Sequence, residues 1–345
     1  MSNTSLPNLI TTFNEVLWCF NDIVLPICFV LGNIGNCLNL LIFSQRSSRS
    51  NSCLLYFLSA SIINIFILNF GLVLRILRGI WNIDPTLKSL WFCRWRTYLT
   101  STFFLIYRYS ILLACIDRMC ASSRSAWIRM ESRPRVAYHL IAFNWILCFA
   151  YFTPALVYHT IVYGQCLAPP GSTYATYLTI STLVQALFIP SAMIVCGFIT
   201  FTHLKSMQSR IIPMNTDAHD ERKIVGQYII MLFVQVATDC LCNLLYSAYL
   251  IYSLVFPTPQ SAQIAVISSF FINMSFTLPY LNYSAAFYLH TLSSPSFRRK
   301  LLQLLRRMRC FHQCIRVNYD RHNTHTIPLV TIRVRNTTAL NRPTI

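Results

Sequence analysis

Residues 93–119 read CRWRTYLTSTFFLIYRYSILLACIDRM, an apolar run with Cys93 at one end and Asp117-Arg118-Met119 at the other. As a helix rising about 1.5 Å per residue, the path from Cys93 to Asp117 spans roughly 36 Å, a little more than the roughly 30 Å hydrocarbon core of a bilayer. The two ends therefore face opposite compartments. An oxidisable cysteine on one side and an Asp-Arg pair on the other fit a helix that joins outside to inside.

The rest of the chain agrees. Its 345 residues are 55% hydrophobic and only 11% charged, with a mean hydropathy of +0.50, which leaves too little polar surface to cover a water-soluble globule. An integral membrane protein follows. The net charge of +18 lies mostly in the loops between apolar stretches and in the C-terminal tail. That placement argues against nucleic acid as a partner and for a lipid bilayer.

Seven apolar stretches are long enough to span, at about 16–43, 52–74, 92–121, 137–161, 174–204, 224–256 and 262–290. The loops holding Arg46 and Arg49, then Arg124, Arg129, Arg133 and Arg135, then Lys205, Arg210, Arg222 and Lys223, fall on one face together with the Arg-rich tail. By the positive-inside rule that face is cytoplasmic and the N-terminus is outside. The expected organisation is an extracellular N-terminus over 1–15, a bundle over 16–290, an amphipathic juxtamembrane helix over 295–309 and a disordered cytoplasmic tail over 310–345. The fold class is thus all-α integral membrane, a seven-transmembrane helix bundle with a short cytoplasmic juxtamembrane helix. Asn3-Thr4-Ser5 is a glycosylation sequon on the outer segment. No basic n-region of a cleavable signal peptide precedes the first stretch, which is long enough to act as its own signal anchor.

Most of the 14 cysteines lie inside apolar stretches, where they read as small hydrophobic filler. Cys93 and Cys166 differ, because both fall at the outer boundary, where an oxidising compartment would let them pair. A bond there would pin the loop around Cys166 over the mouth of the third helix. Cys310 and Cys314 follow the basic segment 297–309 on the inner side and read either as palmitoylation sites or as unmodified thiols.

Over roughly 31–309 these residues resemble the rhodopsin-like family of G-protein-coupled receptors. The resemblance rests on Gly35-Asn36 in the first helix, Cys93 and Asp117-Arg118-Met119 in the third, Trp145 and Pro154 in the fourth, Pro190 in the fifth and Phe297-Arg298 after the seventh. In style the chain looks like the invertebrate peptide-receptor branch. The resemblance implies a receptor at the plasma membrane that binds an extracellular ligand, a peptide or an acidic small molecule. Its helix bundle then repacks and opens the inner face to a heterotrimeric G protein. The chain itself would catalyse nothing and need no cofactor or metal. Arg118 would be held by Asp117 at rest and released on activation; the bland alternative is an interfacial charge pair. Thr324, Thr326, Thr331, Thr337 and Thr338 are candidate phosphorylation sites for arrestin recruitment.

Several positions depart from that pattern. Asn64 stands where the family has a sodium-binding aspartate and Tyr107 where it has a serine. His290 replaces a tyrosine, Ala286-Phe287 replaces Asn-Pro, Phe198 replaces the fifth helix's tyrosine, and Asn243 stands at the sixth helix's tryptophan position. Arg108 and Asp239 are charges at bilayer depth, each costing on the order of 2.5–3.5 kcal/mol on insertion scales, so neither should face lipid. The expectation is a buried ion pair between them; the alternative has Arg108 on backbone carbonyls or water and Asp239 protonated.

Ligand class is partly excluded. Amine receptors of the family carry an aspartate where this chain has Thr100, and the seventh stretch lacks the lysine that retinal attachment needs. At the outer mouth Arg75, Arg78 and Arg96 could recognise a carboxylate or phosphate, or could snorkel to headgroups or pair with Glu15, Asp22 and Asp84. Tyr246, Tyr249 and Tyr280 are candidate aromatic wall. A transporter would show internal repeats, which are not found, and an intramembrane hydrolase would need clustered catalytic side chains. A seven-helix receptor that binds ligand without signalling stays open as the alternative.

Overall fold

The computed structural model describes residues 5–81, 83–162, 164–208, 216–255 and 261–306. Among them seven helices are long and apolar enough to cross a membrane. They are α1 (Ile10–Phe43), α2 (Ser52–Trp81), α3 (Leu90–Ala121), α4 (Pro134–Tyr158), α5 (Thr173–His203), α6 (Gly226–Tyr249) and α7 (Ala262–Ser293). Asn3, Cys310, Cys314 and the tail threonines lie outside the described residues. The chain divides into two units at Arg298, and everything below concerns the first.

Large apolar side chains are left on the outside of the bundle. Leu241 is 70% exposed, Phe233 68% and Phe198 68%, a surface that suits acyl chains and not water. Phe198 therefore points away from the interior. Polar residues are instead turned inward, with Asn36, Asn64, Gln235, Asp239 and Asn282 all buried. The protein is a multi-pass membrane protein with a polar seam at its centre.

Helix ends follow local chemistry. Asn51, Ser89 and Ser261 cap α2, α3 and α7 by accepting from the backbone amides of Cys53, Phe92 and Ile264. Several boundaries differ from the expected spans: the third helix begins at Leu90, the fifth runs to Gln208 and the sixth begins at Thr216, and four others shift as follows. The first helix begins earlier, at Ser5, and continues through a π-helical turn at Cys19–Val24 into Leu25–Phe43. Pro26 lacks the amide an α-turn would use there, and the wider turn absorbs the gap. Phe13, in the early part, stacks on Phe270 of α7 at 4.2 Å. The second helix runs on to Trp81 through another π turn, Ile67–Leu72. The fourth is regular only over Pro134–Tyr151 and resumes for one turn at Ala155–Tyr158, because Pro154 cannot donate. Ile161, expected in that helix, lies in a strand. The seventh continues past His290 to Ser293.

Between α4 and α5 the chain forms a hairpin of β1 (Thr160–Val162) and β2 (Gln165–Leu167), antiparallel, with Ile161 opposite Cys166. Gly164 turns it at φ 66°, the left-handed region that glycine enters freely. The disulfide Cys93–Cys166 joins β2 to the start of α3.

The helices pack in a ring, α1 on α2 and α7, α7 on α6, α6 on α5, with α3 contacting α2, α4, α5 and α6. Gly35 lets α1 approach α7 closely, since a Cβ there would lie 2.8 Å from the Cβ of Phe287. Asn36 ties the same joint, donating to the carbonyls of Gly32 at 2.8 Å and Tyr283 at 3.0 Å while accepting from Asn64 at 3.2 Å. Trp145 Nε1 donates to Ser59 Oγ at 3.0 Å, and Asn144 donates to the carbonyl of Ile106 at 3.2 Å. These two bonds bind α4 to α2 and α3 across the bundle.

Candidate functional site

Three polar assemblies are stacked along the bundle. At the end of α3 opposite the disulfide, Arg118 closes on its own neighbour. Its Nε and Nη2 donate to Asp117 Oδ2 at 3.0 and 2.5 Å, and both residues are 5% exposed. The other carboxylate oxygen, Oδ1, accepts from Ser132 Oγ at 2.8 Å. Ser132 sits in the connection to α4, just before Pro134, and also meets Ser52 at 3.1 Å. Arg118 Nη2 reaches Asn51 and Ser52 at 3.4 Å each. Asn51 thus caps α2 and touches Arg118 with the same oxygen. The Asp117-Arg118 pair was legible in the sequence; Ser132, Asn51 and Ser52 were not, because only the packing of two loops brings them there. The carbonyl of Met119 accepts from Ser122, a local bond within the last turn.

His290 lies buried among the rings of Phe57 at 5.0 Å and Phe43 and Phe297 at 5.8 Å each. Neither of its ring nitrogens has a partner among the described residues. It plugs an aromatic box where the resemblance suggests a tyrosine.

The middle assembly corrects one expectation. Arg108 and Asp239 form no direct ion pair within the described residues. Asn243, one turn beyond Asp239 on α6, stands between them: its Oδ1 accepts from Arg108 Nη2, and its Nδ2 donates to Asp239 Oδ1 at 3.2 Å and to the Asp239 carbonyl at 2.7 Å. Asn282 of α7 also donates to Asp239 Oδ1, at 2.9 Å. Gln235 then donates to Asn282 Oδ1 at 2.9 Å and to the Tyr107 hydroxyl at 2.6 Å. The result is one continuous network joining α3, α6 and α7. Asn243 comes from the next turn of the same helix and is no longer than Asp239, so it is its position on α6 that sets its amide between the two groups. Sequence reasoning placed Asn243, Asn64 and Tyr107 only as departures from a pattern; their buried amide and phenol groups were the available signal that each needs a polar partner, which Arg108 and Asp239, Asn36, and Gln235 and Asn282 respectively supply.

At the disulfide end a cavity of about 580 Å³ opens between α1, α2, α6, α7 and the hairpin. Of the seven expected ligand residues, Arg75, Arg78 and Tyr249 line it. Arg96, Thr100, Tyr246 and Tyr280 do not. Tyr280 is turned inward beneath Gly71, Thr100 lies beside the same glycine, and Tyr246 packs on Phe276 at 5.5 Å. Arg78 pairs with Asp84 at 3.5 Å, and the pairing alternative holds for that residue. Gln165, Asn273 and Phe276 line the cavity unforeseen. Gln165 is positioned by the disulfide at its neighbour Cys166. Near the start of α3, Arg94 Nε donates to the carbonyl of His159 at 2.9 Å, and the His159 ring faces the Tyr174 hydroxyl at 3.4 Å. Burial, opposed by a backbone hydrogen bond at Ala155 and aided more weakly by the Arg94 charge, pushes the His159 pKa down to about 4, so the imidazole is neutral at pH 7.

Seven apolar spans, the disulfide between α3 and the following hairpin, and an arginine closed on its neighbouring aspartate at the far end support the rhodopsin-like class of G-protein-coupled receptors. A curated relative from Xenopus laevis, described as muscarinic acetylcholine receptor M4, points to the same class. It is 24% identical over 206 residues, which cover 58% of this chain and 41% of the relative's length. No protein-family profile matches the chain.

Proposed function

We propose that this chain is a plasma-membrane receptor that binds an extracellular ligand at its disulfide end and activates a heterotrimeric G protein at its Asp117-Arg118 end. In this reading the N-terminus is extracellular and the C-terminus cytoplasmic. The observation that carries it is the state of Arg118: a buried cation held by Asp117, whose second oxygen is occupied by Ser132. Breaking that closed set would free a guanidinium for the C-terminal helix of a G protein, and an arrestin could follow on the phosphorylated tail. The chain catalyses no reaction of its own.

The ligand is a peptide or an acidic molecule. The relative's name concerns acetylcholine, a cation, but this chain has Thr100 in place of the amine-binding aspartate and arginines lining its cavity. A quaternary ammonium would meet like charge there. A non-signalling binder is the second reading, favoured by His290, whose nitrogens have no polar partner among the described residues to relay a switch.

Guanine-nucleotide exchange on a panel of purified heterotrimers tests the proposal, using membranes that carry this chain or Arg118→Ala together with acidic and neutral peptide pools. Ligand-dependent exchange lost in the variant supports a signalling receptor. Silence from well-expressed surface protein across all pools supports the non-signalling binder.

A further inference from the structure

Two arginines at the disulfide end have no ion pair among the described residues. Arg75 Nη2 donates to the carbonyl of Asn273 at 2.8 Å, a neutral acceptor, and its Nε is buried without a partner among the described residues. The Nε of Arg96 is likewise buried and unpartnered. The two guanidiniums lie within electrostatic range of each other and of the Tyr280 hydroxyl. Asp84, in the loop before α3, is already engaged with Arg78. Glu15 and Asp22 form no ion pair among the described residues. Like charges withdrawn from water without an anion are unfavourable, and an anion arriving between helices would relieve the cost at once.

We propose that Arg75 is the contact residue of a carboxylate-binding subsite in the 580 Å³ cavity, and that Arg96 strengthens the site through its charge. The volume falls within the range of small-molecule sites. A planar guanidinium matches a carboxylate bidentately. Next to it, Tyr249, Ile272 and Phe276 offer an aromatic and apolar wall, and Ser269 and Gln165 offer hydrogen bonds. The ligand chemistry is therefore a carboxylate carried beside an apolar or aromatic group, supplied by a free acid or by a peptide's C-terminus. This inference rests on the receptor reading only in placing the ligand at the disulfide end.

Thermal unfolding of the purified, full-length chain in nanodiscs tests it without any G protein. The probes are phenylacetate, its neutral twin phenylacetamide, and sulfate, each at matched ionic strength. Phenylacetate should raise the unfolding temperature saturably and phenylacetamide should not. Arg75→Gln should abolish the response and Arg75→Lys should restore part of it. Arg96→Gln should weaken apparent affinity on the order of tenfold, the loss of one modest charge interaction. Lys88→Gln, an exposed cation outside the cavity, serves as the charge control and should respond as the parent does. Equal stabilisation by phenylacetamide, an unchanged response in Arg75→Gln, or no response of the parent would each overturn the proposal. A response to sulfate stronger than to phenylacetate would replace the carboxylate with a tetrahedral oxyanion. If Arg75→Gln does not fold, Arg75→Lys and Arg96→Gln decide: neither weakening the response overturns the assignment. Short peptides with free and amidated C-termini then separate the two sources, the free form alone stabilising if a peptide terminus is bound. Failure of nucleotide exchange would leave these readings intact.

Discussion

Replacing Asn243 by alanine separates a bridged network from a direct ion pair. If Arg108 and Asp239 paired directly, Asn243 would be a bystander and its loss mild. In the structure it carries the acceptor for Arg108 and a donor to Asp239, two hydrogen bonds to charged groups. Such bonds contribute about 1.5–3 kcal/mol each in soluble proteins, and the lower end applies in a helical membrane bundle, where the unfolded reference also finds partners. The expected cost of Asn243→Ala is therefore about 3 kcal/mol, close to that of Asp239→Leu. Asp239 would retain Asn282, which keeps the loss from growing further. The assay is reversible unfolding of purified protein in one detergent, with surface expression as a second readout. Arg108→Leu combined with Asp239→Leu should cost less than the two single changes together, because neither charge is then stranded. A cost below about 1 kcal/mol for Asn243→Ala, alongside several for Asp239→Leu, would refute the bridging role.

Gly35→Val should destabilise by about 1–3 kcal/mol by forcing α1 off Phe287, whereas Gly197→Ala should be neutral or slightly stabilising, since no atom lies within 4 Å of its added Cβ; thermal unfolding of the pair checks both. Trp145→Phe keeps an aromatic ring but loses the bond to Ser59, and should cost about 1 kcal/mol or more in the same assay. His159 gives a pH signature. Its folded pKa of about 4 lies below the ordinary 6.5, so the unfolded chain binds the extra proton between these values and stability falls as pH drops from about 6.5 to about 4. The loss should be on the order of 3 kcal/mol, level above pH 7 and again below pH 4, and His159→Phe should flatten it in unfolding measured across that range.

The membrane class, the number of spans, the Cys93–Cys166 bond and the Asp117-Arg118 pair were legible in the sequence. Each is fixed by a local or one-dimensional cause: hydropathy over about twenty residues, compartment chemistry at two boundary cysteines, and charge placement at a helix end. Span ends were less legible where proline intervenes, as at Pro26 and Pro154, because the compensating π turn or helix break depends on how neighbouring turns hydrogen-bond.

What only the tertiary structure decided is which polar groups meet. From the sequence alone, Arg108 and Asp239 were two costly charges needing partners, and the arginines at the mouth were equivalent. The packed bundle inserted Asn243 between the first two, sent Arg78 to Asp84, left Arg75 facing a cavity, and brought Ser132 to Asp117 from a separate loop. Burial made the need for partners predictable, because a dry interior tolerates few unpaired polar groups. The choice among partners turned on reach and direction across helices, quantities set by helix rotation and spacing that the linear pattern does not contain.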